Sequence, residues 1–203
     1  MRVRTLQVVM LVLLGGSSMW GQETAVPKAE IFTTYSYFNI DGGDLIPRQS
    51  LNGWGAGFTP TFTKNLGFTV QGLGAYGTFD ESFVVQRTGV EIASADVAAH
   101  ALMAGPEISH RSPTYRLFAH GLAGFMNYRL KNLQIKSGDS YVALPGLGES
   151  ETNFGWGAGG GVDMQIAPGV AARIAQIDYL VENSTPVRRH YRVAFGLVFS
   201  FGG

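Results

Sequence analysis

Two residues near the end of the chain have the types and the spacing of an ion pair. Asp178 lies in the stretch AQIDYLVEN and Arg192 in HYRVAFG. If these stretches form a hairpin that turns near residues 185–186, Asp178 lies opposite Arg192 or its neighbour, with both side chains on one face. The other polar residues of that face are Gln176, Glu182 and His190. Such a group could form a salt-bridge and hydrogen-bond network, a gate, or a binding site for a small polar solute.

Four histidines, with serines and carboxylates nearby, suggest hydrolysis as an alternative chemistry. However, the chain has no GxSxG or HExxH spacing, and no His and Asp cluster has the spacing of metal ligands. The glycine-rich GWGAGGGVD, residues 155–163, is not followed by the lysine of a phosphate-binding loop. We therefore predict no catalytic residue, no metal ligand and no cofactor.

The composition excludes several classes of partner. Lysine plus arginine and aspartate plus glutamate number 15 each, so no excess of basic residues predicts binding to nucleic acid. The absence of cysteine excludes disulfides and acylation at a signal-peptide cysteine. The 28 glycines and the 12% of aromatic residues favour strands over helices.

The first residues have the layout of a secretory signal peptide. Arg2 and Arg4 precede an apolar run that ends near Leu14, and small residues follow as far as Ser18. The run is shorter than the roughly 20 residues of a transmembrane helix. We predict a signal peptide over residues 1–21, cleaved after residue 18 or 21, a short segment over 22–28 and a single β-barrel domain over 29–201.

Alternation of apolar with small or polar residues predicts eight strands that follow each other along the chain. They cover approximately residues 30–39, 50–62, 66–78, 96–109, 114–128, 152–165, 170–182 and 189–201. Short connections at 63–65, 110–113 and 167–169 alternate with longer ones. Short turns at one end and long loops at the other are typical of bacterial outer-membrane barrels. The sequence therefore predicts an eight-stranded antiparallel up-and-down transmembrane β-barrel.

The two faces of most predicted strands differ in side-chain size. Large apolar residues, among them Trp54, Phe58, Trp156 and Phe199, occupy one face, while glycine, threonine and a few charged residues occupy the other. An eight-stranded barrel is too narrow to hold bulky residues from every strand. We therefore expect the large residues to face lipid and the small and polar ones to face the lumen.

The lumen-facing positions collect the predicted network. Asp163 shares the glycine face of its strand, so we expect it to point inward with the Asp178 group. Because an arginine facing lipid costs about 2–4 kcal/mol near the midplane, an inward ion pair is the cheaper arrangement. The main interpretation is a network that fills the lumen and blocks ion flow. We expect Arg173, which has the opposite parity, to reach outward to lipid headgroups near a turn.

Two predicted strands, 96–109 and 114–128, have apolar residues on both faces. Alternation alone leaves the orientation of His100 and His120 open, because one β-bulge would reverse the faces.

The last predicted strand contains GLVFSF, residues 196–201. This segment resembles the C-terminal signal of outer-membrane barrels, with Gly196, Phe199 and Phe201 at its characteristic positions. With the signal peptide, eight strands and loop asymmetry, residues 29–201 resemble the OmpA/OmpX-like family of small barrels. The resemblance implies assembly by the barrel-assembly machinery and a monomer in the outer membrane of a Gram-negative-type bacterium, in contact with membrane lipid and lipopolysaccharide. No counterpart of a peptidoglycan-binding domain is expected.

The favoured function is non-enzymatic. We expect a structural or surface-interaction protein whose long loops at 40–49, 79–95 and 129–151 contact the exterior, with an external partner that the sequence does not identify. The alternatives are a narrow solute channel or transporter, an outer-membrane enzyme acting on lipid, and a soluble periplasmic lipocalin-like binder.

Overall fold

The structure, a computed structural model, describes residues 26–41, 48–79, 83–84, 91–137, 140–143 and 150–202. The predicted signal peptide lies outside these residues. No helix in the described part of the chain is long and apolar enough to cross a membrane.

Ten antiparallel strands follow each other in the described part of the chain. They are β1 (Ala29–Ile40), β2 (Gln49–Pro60), β3 (Leu66–Phe79), β4 (Phe83–Val84), β5 (Glu91–Arg111), β6 (Tyr115–Ser137), β7 (Ser140–Ala143), β8 (Ser150–Ala167), β9 (Val170–Glu182) and β10 (Arg188–Phe201). Eight of them form the wall in the order β1, β2, β3, β5, β6, β8, β9, β10, and β10 pairs back to β1. The predicted eight-stranded transmembrane barrel is confirmed.

The connections sort by length between the two ends of the barrel. Residues 61–65, 112–114 and 168–169 join strands at one end, which we call the short-turn end. At the opposite, long-loop end, β5 and β6 are 21 and 23 residues long, against 12 to 14 for β1, β2 and β3. The sequence predicted loops where these two strands continue. The short strands β4 and β7 pair with the extended parts of β5 and β6.

The two faces of the wall have the predicted polarity. Trp54, Phe58, Trp156 and Phe199 all point outward and are exposed. The alternating residues of the same strands point inward and are small or polar, as in the burial pattern of β10. A bulky apolar exterior is stable in lipid and not in water. This exterior argues against the soluble lipocalin-like alternative.

Glycines keep the lumen open enough for the buried side chains. A Cβ at Gly55 would lie 2.4 Å from the Arg192 Nη2 atom, and one at Gly157 would lie 2.6 Å from Leu180 Cδ2. Both distances are shorter than a van der Waals contact, so a larger residue would displace the neighbouring side chain. The inward glycines are therefore packing positions.

A β-bulge in β9 overturns the prediction for Arg173. Ala194 of β10 pairs with Gln176, but Gly196, two residues further on, pairs with Arg173, which is three residues from Gln176. β9 therefore contains one extra residue at this point. The extra residue shifts the parity, so that Arg173 points inward and is 3% exposed while Ile174 points outward. The expected contact of Arg173 with lipid headgroups is wrong.

The two histidines whose orientation was open face opposite ways. His120 on β6 points inward and is buried. His100 on β5 points outward, and its Nε2 atom is 2.9 Å from the hydroxyl of Tyr76 on the neighbouring strand. Further outward polar pairs lie at comparable positions, including Tyr35 with Asn52 at 2.8 Å. These pairs mark the border of the apolar exterior on the side of the long-loop end.

The apolar band has the height of a bilayer core. On β3 it extends from Leu66 to Tyr76, which is ten steps along the strand. At roughly 3.3 Å per residue and a tilt of about 40°, this corresponds to about 25 Å. Residues near the middle of the band should therefore be the most sensitive to charge.

Ile177 on β9 lies near the middle of the band with its side chain 61% exposed, and Phe62 lies at the short-turn end with 70% exposed. We expect Ile177→Arg to lower the free energy of unfolding in phospholipid vesicles by about 2–4 kcal/mol, and Phe62→Arg by about 0–1 kcal/mol. Equilibrium urea unfolding followed by tryptophan fluorescence measures both. Equal costs would contradict the membrane depth assigned to these residues.

Candidate functional site

The short-turn end of the lumen holds three carboxylates and three arginines. They are Glu30, Glu107, Asp163, Arg111, Arg116 and Arg173. Arg116 Nη1 lies 2.6 Å from Asp163 Oδ2, and the same guanidinium contacts Glu107. Arg173 Nε donates to the other Asp163 oxygen at 2.8 Å. Asp163 thus bridges two arginines from different strands.

The remaining members of this layer close it across the barrel. Glu30 on β1 accepts from Arg111 Nη1 at 2.6 Å and pairs with Arg116 at 3.0 Å. Thr69 Oγ1 donates to Glu107 Oε2 at 2.9 Å. With three positive and three negative groups, the layer is electrically balanced, which a buried cluster requires.

A second polar group lies at the centre of the lumen around Asp178. Arg192 Nη1 donates to Asp178 Oδ2 at 2.6 Å, while its Nε and Nη2 donate to Ser36 and Thr34 at 2.9 and 2.7 Å. His120 Nε2 lies 2.9 Å from the second Asp178 oxygen. Neither charged side chain of the central pair is exposed. Asp178 therefore has partners on both oxygens.

Gln176 joins the two groups. Its amide nitrogen donates to Asp178 Oδ2 at 2.9 Å, and its carbonyl accepts from Arg173 Nη1 at 2.8 Å. The polar network is thus continuous from the short-turn end to the middle of the barrel.

An apolar layer fills the lumen between the central group and the long-loop end. Its members are Phe38, Ile40, Leu51, Leu73, Ala75, Val97, Ala99, Met103, Leu122, Met126 and Leu180. This layer contains a cavity of ≈ 20 Å³. This is room for one or two waters and too small for an organic solute.

A third polar group lies at the long-loop mouth around Glu182. Asn153 Nδ2 donates to Glu182 Oε1 at 2.5 Å, and His190 Nε2 lies 3.3 Å from Oε2 and 3.0 Å from the Tyr128 hydroxyl. Arg188 Nη1 is 3.5 Å from Glu182 Oε1. His190 Nδ1 accepts a hydrogen bond from a backbone N–H of the first long connection. This group ties the mouth to the loop that follows β1.

The structure brings the predicted lumenal residues inside but separates them. Asp178, Arg192, Gln176 and Asp163 belong to the continuous network, whereas Glu182 and His190 lie beyond the apolar layer at the mouth. The register pairs Arg192 with Asp178, as the hairpin predicted. All six are buried.

Sequence reasoning missed most of the charged lumen at the short-turn end. Glu107, Arg116 and His120 lie on β5 and β6, whose apolar residues occupy both faces. A signal was present, because Arg116 and His120 are four residues apart and therefore share a face, and a membrane-spanning strand must turn its charges inward. Arg173 had no such signal, since only the bulge brings it inside.

The predicted assembly residues lie at the end of the barrel wall. Phe199 and Phe201 point outward, and a Cβ at Gly196 would lie 2.0 Å from the carbonyl oxygen of Thr33. Close packing against β1 is sufficient reason for a glycine at this position. Recognition by an assembly machinery stays a prediction.

Comparison with solved structures identifies similar barrels. Neisserial surface protein A is similar with a TM-score of 0.60 and 13% identity, over 86% of this chain and 97% of that one. Ail of Yersinia pestis gives a TM-score of 0.48 and 17% identity, over 84% and 96% of the two chains. The N-terminal β-barrel domain of Pseudomonas aeruginosa OprF gives 0.46 and 13%, over 84% and 97%.

No protein-family model and no curated protein sequence matches the chain. Likeness at this level of identity concerns the fold alone. At the level of fold, the resemblance to small eight-stranded outer-membrane barrels is confirmed.

The central ion pair should be strongly coupled. Asp178→Asn leaves the fully buried Arg192 charge uncompensated, so we expect a loss of about 3–5 kcal/mol in the free energy of unfolding. The double variant Asp178→Asn, Arg192→Gln removes both charges and should cost less than the sum of the single variants by about 1–3 kcal/mol. Urea unfolding in vesicles measures all three variants. Strict additivity would contradict the pairing.

Proposed function

We propose that this chain, which has the fold of small outer-membrane barrels, is a non-enzymatic outer-membrane protein that presents a protruding β-sheet to the exterior. The observation that carries the proposal is the contrast between a filled lumen and an extended long-loop end. A barrel whose described side chains fill the lumen, and whose outer edge is enlarged, is suited to contacts at the cell surface.

The filled lumen argues against a channel. A solute would have to pass the mouth group around Glu182, the apolar layer and the charged layers below it. Both charges of the central Arg192–Asp178 pair are fully buried, and their separation would leave each unpaired in a low-dielectric interior. A stable closed barrel is therefore favoured over a transporter.

The extended strands supply the proposed contact surface. Beyond the apolar band at the long-loop end, β5 and β6 continue as a pair of strands, with β4 along one side and β7 along the other. In this sheet β4 and β7 have no second partner among the described strands, so their outer edges offer backbone groups to a further strand. Protein partners could add to such an edge through main-chain hydrogen bonds.

Surface display can be tested with an inserted epitope. We expect a short epitope placed within residues 144–149 to be labelled by antibody on intact cells, because β7 ends and β8 begins at the long-loop end. The same epitope placed within residues 63–65 should be labelled only after the outer membrane is permeabilised. The reverse result would contradict the orientation. If neither epitope is detected in the isolated membrane fraction, the proposed location is wrong.

Conductance separates the proposal from the channel alternative. We expect the purified full chain to give no steady conductance in a planar bilayer, because three polar groups and one apolar layer of side chains fill the lumen. A porin reconstituted in the same way serves as the positive control. A steady ohmic current that changes with Arg192→Gln would favour the channel alternative instead.

A further inference from the structure

The end of β1 is attached to the mouth of the barrel by a hydrogen bond that requires one tautomer of a histidine. The backbone N–H of Asp41 donates to Nδ1 of His190 at 3.1 Å. A backbone N–H can only donate, so Nδ1 carries a lone pair and the single imidazole proton is assigned to Nε2. The attachment therefore exists only while the ring is neutral.

The second ring nitrogen faces acceptors. His190 Nε2 lies 3.0 Å from the Tyr128 hydroxyl and 3.3 Å from Glu182 Oε2, and both His190 and Glu182 are buried. A second proton on the ring would turn the contact with Glu182 into an ion pair, which favours the protonated ring. At Nδ1 the same proton would place two donors against each other. The contacts of the two ring nitrogens thus respond to protonation in opposite ways.

The charged groups next to the ring leave room for one more positive charge. Arg188 of β10 lies 3.5 Å from Glu182 Oε1 and 3.1 Å from Glu151 Oε2 on β8. Asn153 Nδ2 donates to both carboxylates, at 2.5 Å and 2.7 Å. One arginine and two glutamates carry one net negative charge, and an imidazolium at His190 would compensate it.

The remaining elements packed against the ring add no further charge among the described residues. Tyr128 of β6 is neutral over the pH range in which an imidazole titrates. The members of the neighbouring apolar layer from β2, β3 and β5 include Leu51, Leu73 and Ala99. The charge at His190 is therefore set mainly by Glu182 and by the group around Arg188.

The end of β1 has a second attachment that does not involve the histidine. Arg48 Nη1 donates to Asn39 Oδ1 at 2.7 Å, and its Nη2 donates to Asp41 Oδ2 at 3.0 Å. The guanidinium carbon lies 5.8 Å from the centre of the Tyr191 ring. Arg48 thus holds the ends of β1 and β2 together at any pH at which Asp41 is ionised, whereas only the hydrogen bond to His190 ties Asp41 to the interior of the mouth.

We propose that His190 is an acid-sensitive switch, which attaches the Asp41 backbone to the mouth when the ring is neutral and releases it when the ring is protonated. Histidine is the side chain that changes its charge between about pH 5 and 8. In acid the ring becomes a donor at both nitrogens, keeps Glu182 as an ion-pair partner and loses Asp41 as a donor. This inference rests on the proposed function, because the long-loop end senses the pH of the surroundings only if it lies outside the cell.

The switch would regulate the proposed contact surface without changing the barrel wall. Asp41 lies at the long-loop end, whereas the Arg192–Asp178 pair and the charged layer at the short-turn end lie on the other side of the apolar layer. Release of Asp41 therefore alters what the protein presents to a partner and leaves the lumenal network intact. A partner bound at neutral pH would meet a different surface in acid.

The hydrogen bond is tested on the full ¹⁵N-labelled chain in detergent micelles. Exchange of the Asp41 amide is expressed as a protection factor, relative to the intrinsic exchange rate at the same pH. We expect this factor to fall about tenfold between about pH 8 and about pH 5, as for the loss of one hydrogen bond. The Ser36 amide, within β1, is the internal control and should not change. Equal protection of Asp41 at both pH values overturns the proposal.

The tautomer is measured on the same sample without any substitution. The ¹⁵N shifts of the His190 ring should show a proton on Nε2 alone at about pH 8 and on both nitrogens at about pH 5. The proton on Nδ1 should appear over the same pH range in which the Asp41 amide loses protection. A ring that carries its proton on Nδ1 at about pH 8, or that stays neutral at about pH 5, contradicts the switch.

His190→Gln separates protonation from packing. The glutamine carbonyl can accept from Asp41 while its amide donates to Glu182, and the side chain does not titrate. We expect equal protection of the Asp41 amide at both pH values in this variant. The matched control is His100→Gln, which changes an outward histidine and should keep the tenfold response. A pH response that persists in His190→Gln assigns it to another group and overturns the proposal.

Two further variants distinguish the switch from a merely structural role. We expect Glu182→Gln to require a lower pH for release of Asp41, because the imidazolium loses its ion-pair partner. Arg48→Gln should lower the protection of Asp41 by the same factor at both pH values. An unchanged or higher release pH in Glu182→Gln contradicts the role of the carboxylate, and loss of the pH response in Arg48→Gln contradicts the role of His190.

Folding of each variant is checked by heat-modifiable migration before exchange is measured. If the protein is displayed on cells but the Asp41 amide does not respond to acid, the switch is wrong and the proposed function stands. If the amide responds in micelles but neither epitope is found in the membrane fraction, the proposed function is wrong although His190 titrates as described.

Discussion

The width of an eight-stranded barrel is the constraint on which the rest of the structure depends. Closing the sheet satisfies the backbone hydrogen bonds of all wall strands, which a bilayer requires. The price is a lumen that cannot take a bulky residue from every strand. Glycine at Gly55 and Gly157 makes room for Arg192 and Leu180, so the small residues and the large buried ones are parts of one packing solution.

Charge balance explains how so many ionisable groups lie inside. Each buried carboxylate at the short-turn end contacts an arginine, and Asp163 contacts two from different strands. Breaking one pair leaves an uncompensated buried charge and is therefore strongly destabilising, whereas the intact pair adds little to the free energy of folding. The network therefore fixes one arrangement of the lumen, and the apolar layer above it separates it from the mouth.

The sequence was sufficient for the parts of the fold that follow from alternation. Strand number, the short turns and the Asp178–Arg192 register all follow from the two-residue period and the hairpin. Arg173 was out of reach, because a bulge is set by local hydrogen bonding between β9 and β10 and leaves the composition unchanged. The length of β5 and β6 was also missed, since their continuation depends on pairing with β4 and β7 rather than on a lipid-facing pattern.

The lumenal surface and the outward surface of the wall are subject to different constraints. Residues of the lumenal surface must pack and pair with each other, whereas residues of the outward surface need not. Inside, Arg116, Arg173 and Arg192 are all matched by carboxylates of the same chain, so these buried charges are already compensated. Outside, packing within the chain places no demand on a residue such as Gly121, and Arg129 has no ion-pair partner in the described part of the chain. Features that the barrel does not need for its own stability are therefore found on the exterior and at the long-loop end. Recognition by this protein is accordingly best sought on its outer surface.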